Sequence, residues 1–353
     1  MRPSWTIRLL SGVLALACLG AAKAPGAATS HDDLMVLSSR DSVFEVWGMG
    51  LDGSRPMRLV PKGGAVSEAH WSPQGDHVAF VAMAGPFSHV FMHERATGQV
   101  RQLTSGEHVN SSLAFSPDGQ RLAFVSTRDG NPEIYTMRVD GSAQTRLTDF
   151  VEDDAAPAWS PDGRQIAFLR NGDRRDVWVM NADGSQARNL TQSPKVDDVE
   201  PVWAPDGGRI LFGTRRNDAI AISSIAPDGT DRKTLIANKA FNHSLAFSPD
   251  GRALVWVSNT GGEGTSNLWI AHSDGSNARA LTNSTREDLS PAWSRDGQRV
   301  YFTSTRTIRP AIFSVAADGG DLQQLTWAIG QDLQPRVRPL PRRQLAGSTS
   351  PAR

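Results

Sequence analysis

WSPDGRQIAF, residues 159–168, decides the fold, because the chain writes it repeatedly. FSPDGQRLAF stands at 115–124, FSPDGRALVW at 247–256 and WSPQGDHVAF at 71–80. Looser copies, WAPDGGRILF at 203–212 and WSRDGQRVYF at 293–302, bring the series to six. The opening aromatics, Trp71, Phe115, Trp159, Trp203, Phe247 and Trp293, are separated by 44 residues four times and then by 46. A second signal runs in phase: Asp-Gly or Thr-Gly at 52–53, 97–98, 140–141, 183–184, 228–229, 274–275 and 318–319. Each is followed by a leucine: Leu59, Leu103, Leu147, Leu190, Leu235, Leu281 and Leu325. A fixed period of this length marks one supersecondary unit repeated in tandem.

One period reads as four short strands. The first ends on the aromatic and turns at Ser-Pro-Asp-Gly, where Pro presets one turn position and Gly takes the left-handed one. The second strand, RQIAFL, is apolar on both faces, as a strand sandwiched between neighbouring sheets must be. The third, DVWVM, returns to an Asp-Gly turn that favours a tight hairpin. The fourth, ARNLT, is short and polar, which protects a sheet edge from pairing with other chains. Four strands per roughly 44 residues predict an all-β fold, a β-propeller of four-stranded blades. The chain starts in mid-blade: LMVLSS (34–39) matches a second strand, and VFEVWGMGLDGS matches a third strand with its turn. The missing first strand is DLQPRV (332–337), which aligns with DLSPAW (288–293). The C-terminal strand is therefore expected to close the N-terminal blade in a seven-bladed ring, with six blades as the alternative.

The 353 residues carry 37 basic and 37 acidic side chains. Seven of the arginines, Arg2, Arg8, Arg336, Arg338, Arg342, Arg343 and Arg353, sit near the two ends, so the rest holds an acidic excess of seven. That is no nucleic-acid footprint. Arg2 and Arg8 precede an apolar run, Leu9 to Leu19, with small residues after it, so residues 1–28 read as a signal peptide or lipoprotein leader. No stretch is long enough for a membrane-spanning helix. The lone cysteine, Cys18, ends the apolar run where a lipid could be attached; otherwise it is a leader residue removed on export. The propeller is placed at 29–338 and a basic, Pro-containing, disordered tail at 339–353. The expectation is a periplasmic or secreted monomer, with a lipid anchor at Cys18 as the alternative.

FSPDGQRLAFVSTRDGNPEIYTMRVDGSAQTRLTD (115–149) closely resembles the repeats of the TolB family of periplasmic propellers, and the resemblance covers about 34–337. It implies a protein or peptide partner in the cell envelope, received at the channel mouth, and no cofactor. The α/β domain that precedes the namesake's propeller is not expected here. Similar repeats precede the hydrolase of prolyl-oligopeptidase-type enzymes. About sixteen residues follow Val337 and no Gly-x-Ser-x-Gly is present, so a hydrolase is not expected either.

The candidate site is the position five before each opening aromatic. It holds Val66, Asn110, Asp154, Asp198, Asn242, Asp288 and, in the closing strand, Asp332. Four loops joining second to third strands carry Arg40, Arg128, Arg215 and Arg306, on the same face of a propeller. Two readings stand: these groups satisfy one another as scaffold, or they line a channel mouth that binds a partner. The competing class is a metal-dependent propeller lyase or carbohydrate-binding protein acting on an oligosaccharide. His70, His108 and His243 lie in different blades with no HxH or HExxH spacing, so no metal site is expected.

Overall fold

The computed structural model describes residues 33–339 apart from 61, 62, 194 and 263. The expected leader, Cys18 and the tail from residue 340 lie outside the described residues. Within them the chain forms seven four-stranded antiparallel sheets, as the seven-bladed reading requires. Blade 1 takes its innermost strand, Asp332–Val337, from the C-terminal end, and Leu34–Ser38, Glu45–Met49 and Met57–Arg58 from the N-terminal end. Leu34 pairs with Val337 and Ser38 with Asp332, so one sheet closes the ring. Blades 2 to 7 follow in chain order with innermost strands Val66–Trp71, Asn110–Phe115, Asp153–Trp159, Asp197–Trp203, Asn242–Phe247 and Asp288–Trp293.

Packing between blades explains the repeated letters. Seven apolar clusters are present among the described residues, each drawing on two neighbouring blades. The one that joins the ends of the ring sets Leu34, Val36 and Met49 of blade 1 against Tyr301, Ile312 and Leu325 of blade 7. The last residue of the repeat is buried in every copy: Phe80, Phe124, Phe168, Phe212, Trp256 and Phe302. Where the opening aromatic is Trp, its indole N–H donates to the innermost strand of the preceding blade. Trp71 reaches the carbonyl of Arg336 at 3.3 Å, Trp159 that of Ala114 at 3.2 Å, Trp203 that of Ala158 at 3.0 Å and Trp293 that of Ala246 at 3.1 Å. Phe115 and Phe247 fill the same place without that bond. The Gly-then-Leu signal is a second blade-to-blade contact. At Gly53 (φ 79°) an added Cβ would come within 2.0 Å of the Leu325 carbonyl oxygen.

The turns follow the expected chemistry. In FSPDGQ the Ser116 hydroxyl donates to Asp118 Oδ1 at 2.5 Å, and that oxygen accepts the Gln120 amide at 3.0 Å. These bonds, Ser116's first, hold the Asp118 carboxyl below its ordinary pKa. The edge strands are two to four residues long, from Met57–Arg58 to Lys233–Ile236, too short to template another chain. The innermost strands hold a surprise. Six of them contain a non-Gly residue with positive φ two positions after the Asx position: Ser112 (56°), Ala156 (51°), Glu200 (53°), Ser244 (55°), Ser290 (53°) and Gln334 (52°). Each sits where the pairing with the second strand slips, so every one is a bulge stabilised against a left-handed cost of about 1–2 kcal/mol.

Candidate functional site

The loops entering the innermost strands and the loops joining second to third strands form one face, called upper here. The Ser-Pro-Asp-Gly and Asp-Gly turns form the lower face. The predicted Asx positions lie just under the upper face. All six are buried: Asn110, Asp154, Asp198 and Asp288 at 0% exposure, and Asn242 and Asp332 at 1%. What is accessible from outside is therefore the groups around them, not the ring itself.

Each aspartate is answered by an arginine laid over aromatic rings, but the arginine comes from different places. In blade 1 Arg40 Nη2 donates to both Asp332 oxygens at 3.0 and 2.9 Å and sits 4.6 Å from the Trp47 ring. In blade 7 Arg306 donates to Asp288 at 2.6 Å over Phe313, and Ser304 supplies a further bond at 2.6 Å. Both arginines were expected. In blade 4 the partner is Arg170 of the second strand, which forks onto both oxygens of Asp154 at 2.8 Å. It also lies 3.5 Å from the Phe150 ring centroid and 4.3 Å from that of Trp178. In blade 5 Arg232, just before the outermost strand, reaches Asp198 at 3.2 Å, alongside Ser193 and Thr214. Burial raises the pKa of Asp154 and of Asp198, with Arg170 and Arg232 opposing it.

Arg128 and Arg215 depart from the expectation. Arg128 has only the amide of Asn110 in its blade and donates instead to Ser126 and Gln144. Arg215 is exposed and reaches toward Phe241, 5.7 Å to the ring centroid. Asn110 binds the Ser88 carbonyl at 2.8 Å, and Asn242 accepts from the Trp256 indole at 3.1 Å. An amide thus bridges backbone or indole where no charge has to be balanced. Blade 2 has Val66 in place of Asx, and its second and third strands run on to eight residues each, His77–Ala84 and Phe87–Glu94. The three predicted histidines stay apart: His108 packs edge-on against a fourth, His89, in blades 3 and 2, His243 bonds its neighbour Ser244, and His70 lies on the innermost strand of blade 2. Among the described residues no group of three or more His, Cys, Asp or Glu is arranged to hold a metal.

The loops above the ring carry large apolar side chains among their charged ones. Of the ten large exposed apolar side chains among the described residues, seven are on upper-face loops: Val43, Val109, Phe150, Val151, Ile308, Trp327 and Ile329. Ile308 (103% exposed), Trp327 (74%), Ile329 (83%) and Val43 sit on the three loops at the seam of blades 7 and 1. Their loops are tied together: Ser39 N–H donates to the Gln331 carbonyl at 2.9 Å, and Asp332 N–H to that of Pro310 at 3.0 Å. The buried Arg40–Asp332 and Arg306–Asp288 pairs anchor those loops from below.

Sequence reasoning missed Arg170, Arg232 and Arg295. Arg170 stands where other blades carry Ser38, Ser126, Ser258 or Ser304, and Arg295 replaces the turn proline in WSRDG. Arg295 clasps the two ends of the described chain on the lower face: it and Arg338 each donate to Asp33 Oδ1, at 2.7 and 2.8 Å. Burial pushes the Asp33 carboxyl up, but the bonds from Arg295 and then Arg338 outweigh it and lower its pKa.

The family described as TolB beta propeller domain matches residues 34–238 and 215–345. TolB from Acinetobacter baumannii superimposes with a TM-score of 0.57 at 23% identity, covering 75% of this chain and 67% of that one. An oligogalacturonate lyase from Vibrio parahaemolyticus gives 0.62 at 12% identity, over 84% of this chain and 86% of that one. A Porphyromonas endodontalis dipeptidyl-peptidase 5 is 31% identical over 86 residues, which is 23% of this chain but 12% of the peptidase. The structural likenesses, all at low identity, speak to the fold.

Proposed function

This chain belongs to the TolB β-propeller family, and on that premise we propose that it is a non-enzymatic scaffold of the cell envelope that binds a protein or peptide partner on its upper face. The observation that carries the reading is the placement there of seven of the large exposed apolar side chains, four of them on the loops at the seam of blades 7 and 1. A water-exposed indole and two largely exposed isoleucines on adjoining loops are costly to maintain on a free surface and are what a partner's apolar anchor fits. Rigid blades hold the loops, and the loops carry the contact. Arg40 and Arg306, half-buried and paired with Asp332 and Asp288, hold those loops in place from below.

Relative to the sequence reading, the face is kept and the contacts change. Asp154, Asp198, Asp288, Asp332, Asn110 and Asn242 act as pillars, while Trp327, Ile329, Ile308 and Val43 touch the partner. The test is photo-crosslinking from position 327, with position 162 on the lower face as control, followed by quantitative capture of the identified partner by Trp327→Ala with Ile308→Ser. Capture falling at least about tenfold, the scale of losing a hot-spot aromatic, supports the reading. Equal crosslinking from the lower face, or undiminished capture by the folded double variant, refutes it. Export rests on the N-terminal run of the sequence, and recovery of the protein in the osmotic-shock fraction checks it.

A further inference from the structure

The innermost strands repeat one more position, four residues after the Asx position. It is Ala114, Ala158, Val202, Ala246 and Ala292 in blades 3 to 7, but His70 in blade 2 and Arg336 in blade 1. These strands are covered on both sides by neighbouring blades, so what exposure their side chains retain opens on the central axis. Trp71, bonded to the Arg336 carbonyl at 3.3 Å, sets the two strands side by side.

Arg336 is exposed to water yet ringed by protein, and that enclosure lowers its pKa, with Glu68 opposing. Its guanidinium makes no hydrogen bond or ion pair among the described residues. The acid that faces it is already engaged: Glu68 Oε2 accepts the Ser112 amide at 3.1 Å and Oε1 the Leu113 amide at 2.6 Å. His70 adds no competing charge, because burial, and then Arg336, keep its pKa well below the ordinary value. The result is a forked cation beside a neutral imidazole, at a repeat position that the other five blades fill with alanine or valine. No tryptophan or tyrosine occupies these wall positions to stack on a sugar ring.

We propose that Arg336, with His70 beside it, forms a site on the channel axis for the carboxylate of a slender peptide segment. A planar guanidinium matches a carboxylate in a two-point bond, and alanines at the equivalent positions leave room for a chain of small residues. The site goes beyond the upper-face reading and shares no residue with it.

The experiment titrates the full chain with acetyl-trialanine, with its C-terminal amide, and with an amidated peptide carrying one internal aspartate. Binding is read from the Arg Nε–Hε resonances and by calorimetry. Saturable binding of the free acid, at least about tenfold tighter than of the neutral amide, supports the site. Parallel binding of the aspartyl peptide assigns it to carboxylates in general, and its absence assigns it to chain ends. Arg336→Gln should weaken the acid by at least about tenfold and His70→Gln by less, with Arg336→Lys retaining part of the affinity; Trp327→Ala should change nothing. Acid and amide binding alike, unchanged affinity in a folded Arg336→Gln protein, or no saturable binding by the parent would each overturn the proposal.

Discussion

Asp154→Ala is the sharpest test of the ring's role. The substitution strands Arg170, whose side chain is 4% exposed, with neither of its two 2.8 Å bonds to Asp154. Removing one partner of a buried pair costs about 3–5 kcal/mol, since the remaining charge is left without compensation. Phe150 and Trp178 already lie against the guanidinium in the parent, so their contacts do not offset that loss. Asp154→Leu combined with Arg170→Met removes both charges and fills the space, so it should unfold within about 1–2 kcal/mol of the parent. Urea denaturation followed by tryptophan fluorescence measures all three proteins. Partner capture by the folded fraction should be unchanged throughout, because Asp154 lies beneath the contact surface. A single variant that costs under about 1 kcal/mol, or a double variant as unstable as the single one, would refute the pillar reading.

Three further outcomes follow from the geometry. Ending the chain before Gln331 removes the innermost strand of blade 1 and the Asp33 clasp together, and thermal unfolding should shift down by more than about 10 °C or lose its cooperativity; an unchanged midpoint would contradict closure by that strand. Trp159→Phe should cost about 0.5–1.5 kcal/mol by removing its bond to Ala114, whereas Phe247→Leu at a blade without that bond should show only packing loss, a contrast that denaturant midpoints resolve. His70, His89 and His108 all have lowered pKa values in the folded chain, by burial first. The unfolded chain therefore binds these protons more tightly, and stability should fall as pH drops below about 6.5. Midpoints measured between pH 7.5 and 5.5 test this, and His70→Gln should flatten the slope.

The blades were legible because a propeller repeats its physics: the same turn, the same buried strand and the same edge recur at a fixed step. Closure was legible too, since DLQPRV keeps the Asp and Pro of DLSPAW although its aromatic and its turn are gone. The side-chain partners were harder to read. Arg170 and Arg232 reach their aspartates from the second strand and from just before the outermost strand, because a buried carboxylate accepts a cation from any direction that packing leaves open. The left-handed bulges carry Ser, Ala, Glu or Gln and not Gly, so composition gave no sign of them. Burial of the Asx ring follows from loops that lie over it, and loop trajectories are weakly encoded in a single chain. The departures from the repeat, Arg295 for Pro, Arg336 and His70 for a small residue, were visible as letters; only geometry gave them a role.

The clasp at Asp33 also determines how the ring bears load. The described chain enters at Asp33 and leaves past Arg338 at the same end of one antiparallel pair, with Leu34 opposite Val337 and Ser38 opposite Asp332. Tension applied through both ends draws the two strands apart in the manner of a zipper, so the ladder bonds break one after another and not all at once. The first bonds to meet the force are the two arginine contacts to Asp33, which makes them the mechanical latch of the whole ring. A pull on one end alone, with a partner holding the upper face, instead drags the strand lengthwise and loads the ladder bonds together. The same protein should thus resist force from a docked partner far better than force that separates its own ends.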